Sequence, residues 1–91
     1  NPSTAKAHNT LGVMAAQEGR LEEAIGHWRR ATDLNPNDYQ TLFNLATTLD
    51  RLGRPAEAEP YFKRYLDVAP PSLESRDIER VRRWLGARGI Q

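Results

Sequence analysis

The chain repeats itself with a period of 34 residues. Displaced by that amount, Asn1 meets Asn35, Pro2 meets Pro36 and Pro36 meets Pro70. Leu11 meets Leu45, Gly19-Arg20 meets Gly53-Arg54, and Glu23-Ala24 meets Glu57-Ala58. Arg30 meets Arg64 and Asp33 meets Asp67, while Trp28 falls on Phe62, Arg29 on Lys63 and Leu34 on Val68. Two unrelated sequences would share only about three residues over such a span, so the period confines the chain to folds that stack one small unit on the next. The units are residues 5–38 and 39–72, preceded by 1–4, a remnant of an earlier repeat or a linker, and followed by a different tail, 73–91.

Each unit reads as two helices. In the first, His8, Leu11, Gly12 and Ala15 make an inward stripe at helical spacing. Gly19 then stands where a left-handed residue ends a helix, a conformation that costs glycine nothing. Leu21, Ala24, Ile25, Trp28, Ala31 and Leu34 resume the pattern until Asn35-Pro36 stops it. The second unit copies this plan. Leu42, Leu45, Ala46 and Leu49 precede Gly53, and Ala58, Tyr61, Phe62, Tyr65 and Val68 run up to Pro70-Pro71. Pro55 suits a first turn, where its missing N–H costs nothing. Pro60 lies deeper and predicts a kink on the outer side. Small residues in each stripe (Gly12, Ala46, Ala24, Ala58) let helix axes approach, with Trp28 and Phe62 filling the wider gaps. Short loops make successive helices antiparallel neighbours. The predicted helices are 4–18, 21–34, 38–52, 55–68 and 73–86, with no strand.

These residues resemble the tetratricopeptide repeat. Its Leu-Gly pair is matched by Leu11-Gly12 and Leu45-Ala46, and its interhelical glycine by Gly19 and Gly53. Its small residue is matched by Ala24 and Ala58, its aromatic by Trp28 and Phe62, and its closing proline by Pro36 and Pro70. His8 and Leu42 replace the family's opening tryptophan, and Tyr65 replaces a small residue that Ala31 retains. The resemblance implies an all-α superhelix of antiparallel helix-turn-helix repeats with a concave groove. Tyr65, too large for its place, predicts a last helix displaced from repeat register, with the hydroxyl finding a partner.

The tail reads as a capping helix, with Ser72 as N-cap, Ile78, Val81, Trp84 and Leu85 inward, and Gly86 and Gly89 at its end. Its outer face carries Glu74, Asp77, Arg80 and Arg83. At the front, Asn1-Pro2 resembles the end of an earlier unit, so the chain reads as the C-terminal part of a larger bacterial-type protein. On the flank where that unit would pack lie Ala7, Thr10 and Met14. They should be open to water, whereas Thr41, Thr48 and Leu52 one period on should be covered by helix 21–34. Weak self-association through that flank follows, between monomer and homodimer.

Composition excludes several functions. Thirteen basic against twelve acidic side chains leave a net charge of +1, too little to drive nucleic-acid binding by bulk charge. RNA binding through the arginines of the tail is the remaining nucleic-acid alternative, and a solvated face is the simpler reading of them. With no cysteine there is no disulfide, thiolate zinc site or cysteine nucleophile. No apolar run approaches the ~20 residues of a membrane span. Ser3, Ser72 and Ser75 sit at ends and turns. His8 and His27 lack further metal ligands, and are expected to be structural. Glu22-Glu23 and Glu57/Glu59 lie at helix starts, where negative charge suits the dipole. Gly12, Gly19 and Gly26 are spaced for helices and turns, not for a phosphate loop. No catalysis, cofactor or metal is expected.

A surface remains. At about 100° per residue, the face turned from the inward stripe carries Lys6, Asn9, Thr10, Val13 and Gln17 in the first helix. In the third it carries Gln40, Phe43, Asn44, Thr47 and Arg51, with Asp50 at the edge. The resemblance places these faces on the concave side and implies a protein or peptide partner held there, with Phe43 either open as an aromatic anchor or leaning on a neighbouring helix. Some members of the family hold a C-terminal carboxylate in a basic clamp. Lys6 and Asn44 match two of its places, but Thr10, Gln40, Glu74 and Ile78 do not match others, so that ligand is not expected. The alternative to groove binding is a structural or dimerisation role against an upstream catalytic domain.

Overall fold

In the computed structural model, residues 2–70, 72 and 76–89 are described, residues 2 and 3 by their backbone alone. They form five helices, α1 (Pro2–Gln17), α2 (Leu21–Leu34), α3 (Tyr39–Arg51), α4 (Pro55–Val68) and α5 (Arg76–Ala87), and no strand among the described residues. α1 therefore takes in residues 2–4, continuous with the helix. Ser72 sits in a turn, and the stretch in which its capping role would lie, 73–75, is outside the described residues.

Local chemistry sets the boundaries. Gly19 and Gly53 take φ of 79° and 73°. The residue after each donates its N–H back over the last turn, Arg20 to the Ala15 carbonyl and Arg54 to that of Leu49. Both glycines thus close their helices in the left-handed conformation. Asp38 caps α3: its carboxylate accepts from the backbone N–H of Gln40 and Thr41 and from the Thr41 hydroxyl. Pro55 opens α4 at its first turn, and the helix runs unbroken through Pro60, which is exposed.

α1 packs on α2, α3 on α4, α2 on α3, and α5 on α4. The core lies between the hairpins and holds Ala15, Ala24, Ile25, Trp28, Leu42, Leu45, Ala46, Leu49, Ala58, Phe62, Tyr65, Val81 and Leu85. Gly12 is the closest approach. A Cβ there would lie within 2.8 Å of three atoms of the Trp28 indole, so only glycine leaves room for the ring.

Three expected inward or covered residues are exposed instead. Leu11 turns to the flank of α1 and is 44% exposed, whereas Leu45, one period on, is 0% exposed because α2 covers the same flank of α3. Leu34 ends α2, beyond its last buried residues Ala31 and Thr32. Leu52 is the C-cap of α3, where the chain leaves the helix and carries the side chain off the covered flank. His8 is half-buried, its ring stacked on His27 at 6.1 Å. As expected, Met14 is 50% exposed and Thr48 only 7%.

Tyr65 is buried, and its ring contacts Tyr39 at 6.2 Å and Phe43 at 5.4 Å, within the α3–α4 hairpin. α5 leans on α4 through Trp84 and Phe62, 4.5 Å apart. Its stripe is out of the repeat register. Leu42, Leu45 and Leu49 recur as Ile78, Val81 and Leu85, two residues later than the 34-residue period. The displacement was expected from Tyr65 crowding α5, but the Tyr65 ring packs on α3, so the offset resides in the longer connection after α4.

Ion pairs tie the hairpins together on the outside. Arg54, at the N-cap of α4, bonds Glu57 in the first turn of that helix and, at 2.7 Å, Glu22 in α2, while Arg29 of α2 reaches Glu57 at 3.1 Å. The hydrogen bond from Arg54, and then that from Arg29, hold the Glu57 carboxyl down from 4.5 to about 2. A carboxyl depressed on folding stabilises the fold above its unfolded pKa, and that contribution is lost as pH falls through the folded value. The stabilisation should therefore fade between pH 4.5 and about 2. Carbon-detected NMR titration should place Glu57 near the lower value, and Arg54→Gln should return it towards the upper one. An unchanged midpoint in that variant would refute the assignment.

Candidate functional site

A hollow of about 350 Å³ opens between α1 and α3, with one residue of α5, Arg80, at its border. Val13, Ala16 and Gln17 of α1 form one wall, and Phe43, Asn44, Thr47, Thr48 and Arg51 of α3 the other. Trp28 reaches it from α2 and Arg80 from α5. Helical spacing explains the walls: 13, 16 and 17 share one face of α1, and 43, 44, 47, 48 and 51 one face of α3. Val13, Phe43, Asn44 and Thr47 are half-buried, while Gln17 and Arg51 are exposed.

Six residues expected in the groove, Val13, Gln17, Phe43, Asn44, Thr47 and Arg51, are brought together here. Asp50 lines a smaller adjoining space of about 40 Å³ between α3 and α5, with Phe62, Val81 and Trp84. Lys6, Asn9 and Gln40 line neither space. Lys6 and Gln40 lie in the N-terminal halves of α1 and α3 and Asn9 at the middle of α1, whereas α5 lies beside the C-terminal half of α3. Asn9 is half-buried, and its shielded side-chain Oδ1 has no hydrogen-bond partner among the described residues. Phe43 leans on Tyr65 of α4 and also lines the hollow.

The polar groups differ in what they can still do. The Thr47 hydroxyl donates to the Phe43 carbonyl at 2.8 Å, leaving its lone pairs as acceptors. The buried Trp28 N–H has no hydrogen-bond partner among the described residues. Sequence reasoning missed Trp28, Ala16, Thr48 and Arg80 as lining residues. Arg80 carried a signal: read in the register of the α5 stripe it stands where Asn44 stands in α3. No group of three or more His, Asp or Glu among the described residues could hold a metal ion, and no helix is long and apolar enough to cross a membrane.

The tetratricopeptide repeat family profile matches residues 3–70, three quarters of the chain. The chain belongs to the tetratricopeptide repeat family. Over 53 residues it is 36% identical to tetratricopeptide repeat protein 8 of Homo sapiens, covering 58% of this chain and 10% of that protein. The photosystem I assembly protein Ycf3 of Acaryochloris marina is 27% identical, over 87% of this chain and 53% of its own length. The chain thus spans from a tenth to about half of these relatives. A tetratricopeptide repeat domain protein of Salinibacter ruber superposes with a TM-score of 0.74 at 17% identity, covering 96% of this chain and 98% of that one, which shows the shared fold. Tetratricopeptide repeats generally mediate protein–protein interaction and are typically non-catalytic scaffolds.

Proposed function

We propose that the hollow between α1 and α3 binds an extended peptide segment of a protein partner, without catalysis. The observation that carries this is the mixture in its walls: Val13, Trp28 and Phe43 offer apolar area beside Gln17, Asn44 and the Thr47 hydroxyl. Main-chain amides of a peptide satisfy such groups while one apolar side chain covers Phe43. Selection of random displayed peptides on the immobilised chain tests it. Peptides enriched on the wild type should be lost on Phe43→Ala and Asn44→Ala, both of which should stay folded. Undiminished enrichment on both variants would contradict the groove.

A second surface supports weak self-association. Leu11 and Met14 are 44% and 50% exposed on the flank of α1 whose counterpart on α3 is covered. The patch is small, at most a few hundred Å², so pairing should be weak. Sedimentation velocity should show a concentration-dependent rise that Met14→Lys removes. A sedimentation coefficient independent of concentration would exclude pairing.

A further inference from the structure

The α5 end of the hollow carries a charge arrangement that the groove reading leaves unused. Arg51 of α3 and Arg80 of α5 both line the larger hollow and both line the smaller space beside it. Among the described residues they are the only cationic side chains in either lining, and Asp50 is the only carboxylate. Two guanidiniums against one carboxylate leave this end of the groove net positive.

Position, and not pairing alone, sets them apart, since Arg30, Arg64, Arg76 and Arg83 also lack an ion-pair partner among the described residues but line neither space. Arg20, Arg29, Arg54, Arg82 and Arg88 are each bonded to a glutamate. Arg51 and Arg80 have no ion-pair partner among the described residues. Like charges brought to one hollow repel, and an anion placed between them relieves that repulsion. The planar fork of each guanidinium matches a carboxylate in paired hydrogen bonds.

We propose that the groove selects acidic peptide segments, with an Asp or Glu side chain of the partner held between Arg51 and Arg80 and a neighbouring apolar side chain on Phe43. This rests on the groove reading above and names its ligand class. A peptide suits the site better than RNA. The net charge of the chain is only +1, so it lacks the broad positive field that phosphate chains exploit. The walls beside the arginines offer amides and a hydroxyl suited to a peptide backbone.

The test uses synthetic peptides blocked at both ends, so that only side chains carry charge, with the apolar and acidic residues taken from the selected sequences. Fluorescence anisotropy should show that replacing Asp and Glu by Asn and Gln weakens binding at least about tenfold, the size of one lost charge-assisted contact. Arg51→Glu with Arg80→Glu should invert the preference towards Lys-containing versions of the same peptides. Both arginines are exposed, so the double variant should keep its melting temperature. Equal binding of acidic and amide peptides would overturn the inference, and if Phe43→Ala still abolished binding the groove reading would survive it. Binding that requires a free C-terminal carboxylate and ignores the side chains would overturn it too. So would a single-stranded uridine oligonucleotide that outcompetes every acidic peptide and is lost in the double variant. No binding by any peptide would sink both readings.

Discussion

Gly12→Ala is expected to destabilise the protein by about 1 kcal/mol and to lower its melting temperature by about 4–8 °C for a domain of this size. The added methyl would meet the Trp28 indole at three atoms within 2.8 Å. Trp28 is itself buried between α1 and α3, so the ring can yield only by moving core neighbours. Overpacking of this kind costs about 1–3 kcal/mol, set against roughly 1 kcal/mol of helix propensity gained by removing a glycine. Gly26→Ala is the internal control. Gly26 also lies inside a helix, but nothing lies within 4 Å of its added Cβ, so only the propensity gain remains. Thermal melts of the two variants should move in opposite directions. A Gly12→Ala protein as stable as Gly26→Ala would show that Trp28 does not need the notch.

Leu45→Ala should cost about 2–5 kcal/mol, the range for emptying a buried leucine site, and much of the total stability of a domain this small. Leu11→Ala, the same substitution at the same place in the period, should stay within about 0.5 kcal/mol, as surface changes do. The sequence is equivalent at the two positions, and the difference lies in α2, which covers this flank of α3, while no helix among the described residues covers the same flank of α1. Urea denaturation of both variants measures this. Equal losses would mean that the flank of α1 is covered after all.

That pair shows what periodicity can and cannot reveal. The 34-residue repeat specified four helices and the glycine ends of α1 and α3, and the apolar stripe of the tail specified α5. The seat of Trp28 against Gly12 itself was not legible, because the pattern put the ring in a wider gap beside the small residues. The repeat placed Leu11 inward, because a stripe of apolar residues records where neighbours pack in an average unit and not whether one is present. Arg80 escaped for a related reason. At the 34-residue spacing it falls on Ala46, an inward position, and only the two extra residues before α5 bring it to the groove face. Lys6, Asn9 and Gln40 share a helical face with the lining residues, yet the hollow extends along only part of each helix. Phe43 resisted assignment from pattern alone because Tyr65, where the first unit has Ala31, gives it a ring to lean on.

The central claim is that partners enter the hollow between α1 and α3. Amide chemical-shift mapping with the tightest selected peptide tests it most directly. Shifts should concentrate at Val13, Gln17, Asn44, Thr47 and Arg51 and extend to Arg80, leaving Ala7, Leu11 and Met14 unmoved. Shifts confined to Ala7, Leu11 and Met14 would contradict it and make the open flank of α1 the interaction surface.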